Sequence, residues 1–145
     1  MKLRELFLIE MPPDQAEDIE FDIKRSFYKL GITINFTKHF NSRLTSDHEK
    51  TDAHSREEIS PEELISVFKK LENKHKDLFK EAAEFNDEVK RGLFEGVIRE
   101  ELSNINVPFA LSFNKTSGKF VLVCKTILKK IASFVNRPTD HIISI

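Results

Sequence analysis

The chain has 145 residues, 39% of them hydrophobic and 32% charged, with a net charge of −1; this length suits one domain with a real hydrophobic core. The near-neutral balance excludes a nucleic-acid footprint spread over the whole chain. No apolar run approaches the ~20 residues of a membrane helix, and the lone Cys124 excludes an intrachain disulfide and a cysteine-rich metal site. Thirteen Phe, one Tyr and no Trp make phenyl rings the expected bulk of the core. The opening MKLRELFLIE is broken by charges, so it reads as a poor signal peptide, and a reducing, intracellular setting is expected. Charge is unevenly distributed. From residue 105 onward six basic residues face one acid, giving +5 against −6 for the rest. Such a basic C-terminal third suits phosphate, or the acidic helices of the same chain.

In chain order, residues 2–11 are ambiguous between strand and helix. After Pro12-Pro13, Asp14 is a candidate N-cap with Glu17 as its capping-box partner. Ile19, Ile23, Phe27 and Leu30 then predict a helix over about 14–30, ended by Gly31. Ile32, Ile34 and Phe36 alternate with polar residues and predict a half-buried strand. The spacing changes to helical at Phe40 and Leu44, which puts His39 at a strand-to-helix junction with Arg43 one turn on. Residues 45–60 form a polar loop. Ser60-Pro61-Glu62-Glu63 is an N-cap, helix-start proline and capping box in one, opening a helix expected to reach about residue 83. A second helical pattern, about 86–103, rests on Phe85, Val89, Leu93, Val97 and Leu102 and contains Gly92 and Gly96, which predict close packing against another backbone. Pro108 opens a strand through Phe113, Asn114–Gly118 is a hairpin loop, and Lys119–Leu128 reads as a central strand covered on both faces. HIISI closes the chain as a last strand within the sheet. The fold expected is α+β, a single domain over 1–145 with helices packed on one small antiparallel sheet.

No zinc-protease, C-x-x-C, phosphate-loop or nucleophile-elbow motif is present. His48 and His54 are spaced too loosely to predict a metal site, and no cofactor is expected. His75 falls on an apolar helical stripe, as a satisfied boundary histidine does. His39 stands apart. An imidazole at a junction can exchange protons near neutral pH, and metal-free RNA cleavage needs an acid, a base and a cation for the crowded phosphate. On that reading His39 is the acid–base group, Arg43 holds phosphate, Lys125 adds positive charge beside Lys129, Lys130 or Arg137, and His141 is a second proton carrier. The competing reading is an ordinary polar corner in which Arg43 pairs with an acid and His39 caps the helix.

The pattern His39-Phe-Asn-Ser-Arg43, Arg56-Glu-Glu-Ile59, then Ser60-Pro61-Glu62-Glu63-Leu64 resembles an element of RelE/RegB-like endoribonucleases. That resemblance implies helices on a small antiparallel sheet and a catalytic role for His39, with about a dozen extra residues between Arg43 and Arg56. A broader likeness, over about 32–130, is to small uncharacterised proteins of tailed bacteriophages. It rests on Phe36–Phe40, Ile59–Leu64, Asn104–Phe109 and Leu122–Ile127. Two functions are therefore expected: a phage endoribonuclease acting on RNA in the infected host cytoplasm, or a non-enzymatic virion, assembly or host-interaction protein. Neither involves a membrane.

Overall fold

The computed structural model describes residues 12–44, 59–129 and 141–145. Five helices among them, α1 (Pro13–Tyr28), α2 (Lys38–Leu44), α3 (Pro61–Asn73), α4 (His75–Glu84) and α5 (Asn86–Lys90), pack on a sheet. Its strands are β1 (Ile32–Phe36), β2 (Phe94–Glu100), β3 (Ile105–Asn114), β4 (Lys119–Cys124), β5 (Leu128–Lys129) and β6 (His141–Ser144). The order across the sheet is β1-β4-β3-β2-β6, with β5 continuing along β3. The α+β class is as expected, but the sheet is mixed: an antiparallel β4-β3-β2 centre carries parallel pairs, β1 with β4 and β2 with β6, at its edges. No helix among the described residues is long and apolar enough to cross a membrane.

The helices cover one face of the sheet. Phe94, Ile98, Val107, Phe109, Leu111, Leu122 and Cys124 point into the core, where they meet Phe27, Phe40, Phe68 and Leu71. Phe36 lies 4.7 Å from Phe40 and 5.6 Å from Phe68, ring centre to ring centre. Phenyl rings thus fasten β1, α2 and α3 together, as the composition predicts.

Local chemistry sets the ends of the elements. Pro12 occupies the N-cap of α1 with no side-chain cap, and Asp14 sits in the first turn, where its charge suits the helix dipole. It is not the cap that the sequence suggests. The capping box of α3 forms as expected: Ser60 Oγ accepts from Glu63 N at 3.1 Å and Glu63 Oε1 accepts from Ser60 N at 3.0 Å. Ser60→Ala should therefore cost about 1 kcal/mol in thermal unfolding. The helix expected to run to residue 83 breaks at Lys74 into α3 and α4. His75 Nδ1 donates to the Glu72 carbonyl oxygen at 2.8 Å, as a satisfied boundary residue does.

The largest correction concerns 86–103. Only Asn86–Lys90 is helical, and 94–100 is strand β2. Gly92 takes φ +70° and stops the helix. Leu93 and Leu102, counted as part of a helical stripe, are 58% and 91% exposed. Gly96 meets its expected neighbour, though from a strand: a Cβ there would lie 2.0 Å from the His141 carbonyl oxygen of β6.

Pro108 does not open β3; it sits inside it, paired with Val97. Its O accepts from Lys125 N at 2.9 Å, so its missing N–H faces the same side. There the partner strand carries one extra residue: Phe109 pairs with Cys124, but Asn106 pairs with Leu128 rather than residue 127. A bulge opposite a proline removes the need for the lost ladder bond. It also divides the strand expected over 119–128 into β4 and β5, and Val121 and Val123 are only half-buried. The hairpin at 115–118 is present, with Asn114 Oδ1 accepting from Thr116 N at 2.9 Å. The polar loop expected over 45–60 lies outside the described residues, apart from buried Ile59 and the Ser60 cap. So do residues 2–11.

Candidate functional site

The period change at residue 37 has a definite physical basis. Thr37 N donates to Cys124 O at 3.2 Å, extending the β1–β4 pairing by one residue. Thr37 Oγ1 then donates to Lys125 O at 2.6 Å and accepts from Phe40 N at 3.1 Å. Thr37 therefore caps α2 and ties it to the end of β4; His39 does not cap the helix. His39 is exposed, whereas Arg43, one turn on, is buried with 7% of its surface exposed. The two share a helical face at different depths.

Three of the four candidate residues, His39, Arg43 and Lys125, thus belong to one corner at the carboxyl ends of the parallel β1–β4 pair. Within it the Lys125 backbone is held by Thr37, while its ammonium crosses β3 to pair with Glu95 of β2. His141 does not join them. It lies on β6 at the opposite edge, four strand spacings or roughly 19 Å away. There its Nε2 is 2.8 Å from Glu88 Oε2, and its ring stacks on Phe94 at 4.1 Å. Lys129 pairs with Glu63. Lys130, Arg137, His48, His54 and Arg56 lie outside the described residues.

An open groove runs between the amino-terminal turns of α1 and α2, lined by Glu17, Glu20, Lys38, His39, Asn41 and Ser42 with Pro13 and Ala16. Glu20 is its most informative residue. Only 7% of it is exposed. Burial, with Glu17 adding to it and Lys24 opposing it, pushes the Glu20 carboxyl up to about 7. With its amide nitrogen turned inward, Asn41 donates to Glu20 Oε1 at 3.0 Å. Burial, with the Glu20 charge adding to it, raises the Cys124 thiol and leaves it protonated and inert. Thr126 Oγ1 is buried with no hydrogen-bond partner among the described residues.

Glu20 was legible in principle. It sits four residues after Ala16 and three before Ile23, on the buried stripe of α1, and an acid on an apolar stripe signals a perturbed carboxyl. Its stability effect has a definite sign. A carboxyl whose folded value exceeds its unfolded one binds more protons when folded, so stability falls as pH rises from about 4.5 through about 7. Glu20→Gln should raise the unfolding midpoint at pH 8, with the gain disappearing below pH 5 in thermal melts.

Among the described residues, no group of three or more His, Cys, Asp or Glu side chains is placed to hold a metal ion. Comparisons with protein-family models, curated proteins and solved structures return no match to this chain.

Proposed function

We propose that the chain is a phage-encoded, RelE/RegB-like endoribonuclease that works without metal, with its reaction centre in the groove between α1 and α2. The observation that carries this reading is one open groove lined both by exposed His39 and by Glu20, a carboxyl that burial pushes up to about 7. General acid–base cleavage requires two proton-exchanging groups within reach of one phosphodiester.

In this scheme ionised Glu20 takes the proton of the RNA 2′-hydroxyl. The 2′-oxygen bonds to phosphorus, the P–O5′ bond breaks, and the imidazolium of His39 gives its proton to the departing 5′-oxygen. The product strand ends in a 2′,3′-cyclic phosphate. Lys38 supplies positive charge at the rim of the groove, whereas buried Arg43 is not among the groove's lining residues. Glu20 takes the place of the second proton carrier assigned to His141 from sequence. The resemblance to RelE/RegB-like proteins supplies the choice of RNA, and the host cytoplasm is the setting it implies.

The test is incubation of mixed-sequence RNA with the protein in excess chelator. Fragments with cyclic phosphate ends are expected; intact RNA between pH 5.5 and 8.5 would overturn the reading.

One observation favours the second reading, a virion or host-interaction protein. An apolar depression between α1 and α3 is lined by Ile19, Ile23, Phe68 and the 43% exposed Ile65. Mass spectrometry of purified particles distinguishes the two, because a nuclease of the host cytoplasm is absent from them.

A further inference from the structure

The solvent side of α1 is divided by charge. Its first half carries Asp14, Glu17 and Asp18; its second half and end carry Lys24, Arg25 and Lys29, and all six are exposed. None of the three acids has a basic residue three or four positions away in the chain. Asp14 and Asp18 are instead like charges one turn apart, as are Asp18 and Asp22, an arrangement that destabilises a helix left to itself. Phe21 stands between the two halves with 61% of its surface exposed, and Tyr28 is 59% exposed. These rings are seven residues apart, two turns or ~10 Å along one side of the helix. Arg25 Cζ lies 5.8 Å from the Phe21 ring centre, so this cation and this ring share one outward face. Lys24 turns the other way, over the Phe36 ring at 5.9 Å.

Such a face complements itself. At 100° per residue, Asp14, Asp18, Phe21, Arg25 and Tyr28 lie within about 60° of one line along α1, with Lys29 just beside them. A second copy of α1 laid antiparallel on that line, about a two-fold axis at Phe21, sets residues equally far from Phe21 opposite one another. Asp18 then faces Arg25 of the second copy, Asp14 faces its Lys29, and Tyr28 meets its exposed Pro13. The two-fold axis repeats each pair. It also brings like flanks of the two helices together, and Asp18 and Arg25 lie on the same flank. Parallel pairing would set acid on acid. A polyanion would meet the acids of the first half, and a polycation the bases of the second. A surface with the same order of charge, reversed, satisfies both halves around an apolar centre.

We infer that the outward face of α1 is the interface of a two-fold symmetric homodimer, in which two copies of the helix lie antiparallel, Phe21 against Phe21, with Asp18–Arg25 and Asp14–Lys29 ion pairs on either side of the axis. One helix pair buries less than the ~800 Å² per partner of a standard interface, so the dimer should be weak, with a dissociation constant of about 10–100 μM. The inference does not depend on the nuclease reading. Its test is analytical ultracentrifugation of the full chain at low salt, from about 5 to 500 μM, a range that spans the expected constant.

Wild type should pass from monomer to dimer across that range, and added salt should weaken the dimer because its ion pairs lie near water. Phe21→Ala should weaken it at least ~10-fold. Asp18→Arg and Arg25→Glu should each leave the chain monomeric, because each change sets like charges opposite one another twice. Mixed in equal amounts, the two charge-reversed chains should associate again, since every pair at these positions is then of opposite sign. Circular dichroism checks the fold of each variant; the changed residues are exposed, and the buried stripe of α1 is untouched. Phe21→Ala decides the matter should a charge reversal unfold the chain. Wild type that stays monomeric at the highest concentration would overturn the interface. So would a dimer that survives Phe21→Ala or either charge reversal, or a mixture of the two folded reversals that stays monomeric.

Discussion

Gly96→Ala should lower the unfolding midpoint by roughly 10 °C, corresponding to about 3 kcal/mol at this chain length. The reason is a collision with backbone. The new methyl would lie 2.0 Å from the His141 carbonyl oxygen and 2.9 Å from its carbon, and neither atom can swing aside as the end of a side chain can. The parallel β2–β6 pairing, from Gly96–His141 to Arg99–Ser144, must open or shift. With it go the His141–Phe94 stack and the contacts of His141 to Glu88 and Glu81. Gly92→Ala is the matched control: it carries the strain of φ +70° but meets nothing within 4 Å, so its cost should be about 1 kcal/mol. Thermal melts by circular dichroism measure both. Equal midpoints for the two variants would mean that β6 is not seated against Gly96.

His39→Ala should slow RNA cleavage by ~10²–10⁴-fold, the contribution of one positioned proton carrier. The same change should move the unfolding midpoint by less than about 1 °C, because the side chain is exposed and α2 is capped by Thr37 rather than by His39. Wild-type cleavage should give a bell-shaped pH profile, its rising limb following the ionisation of Glu20 and its falling limb the loss of the general acid's proton. Glu20→Gln should remove the rising limb. A variant that kept it would take Glu20 out of the mechanism.

How much of this was legible in the sequence depended on whether a signal was local. The capping box at Ser60, the alternation in Ile32–Phe36 and the hairpin at Asn114–Gly118 rest on contacts a few residues apart, and each formed where expected. The stretch 94–100 was misread because Val89, Leu93 and Val97 happen to fall at helical spacing, while what makes it a strand is pairing with β3 and β6, distant in the chain. The sequence identified the demand at Gly96, a close backbone, without identifying the neighbour. Pro108 looked like a strand start because its tolerance depends on a bulge in another strand.

The site divided in the same way. The strand-to-helix junction at His39 was visible as a change of period, and Lys125 follows the strand that pairs with it. His141 shared only the chemical type of a proton carrier; sheet order, which the sequence does not display, put it at the far edge. Glu20 went unnoticed because the helix was read from its apolar residues Ile19, Ile23, Phe27 and Leu30 alone, although its spacing of four from Ala16 and three from Ile23 marks it as inward.

The central claim is that proton transfer belongs to the β1–β4 corner and not to the β6 edge. Single-turnover cleavage of RNA in chelator by wild type, His39→Ala and His141→Ala tests it most directly. The account predicts that His39→Ala loses at least ~100-fold while His141→Ala stays within about threefold of wild type. Full activity in His39→Ala, or a collapse confined to folded His141→Ala, would contradict it.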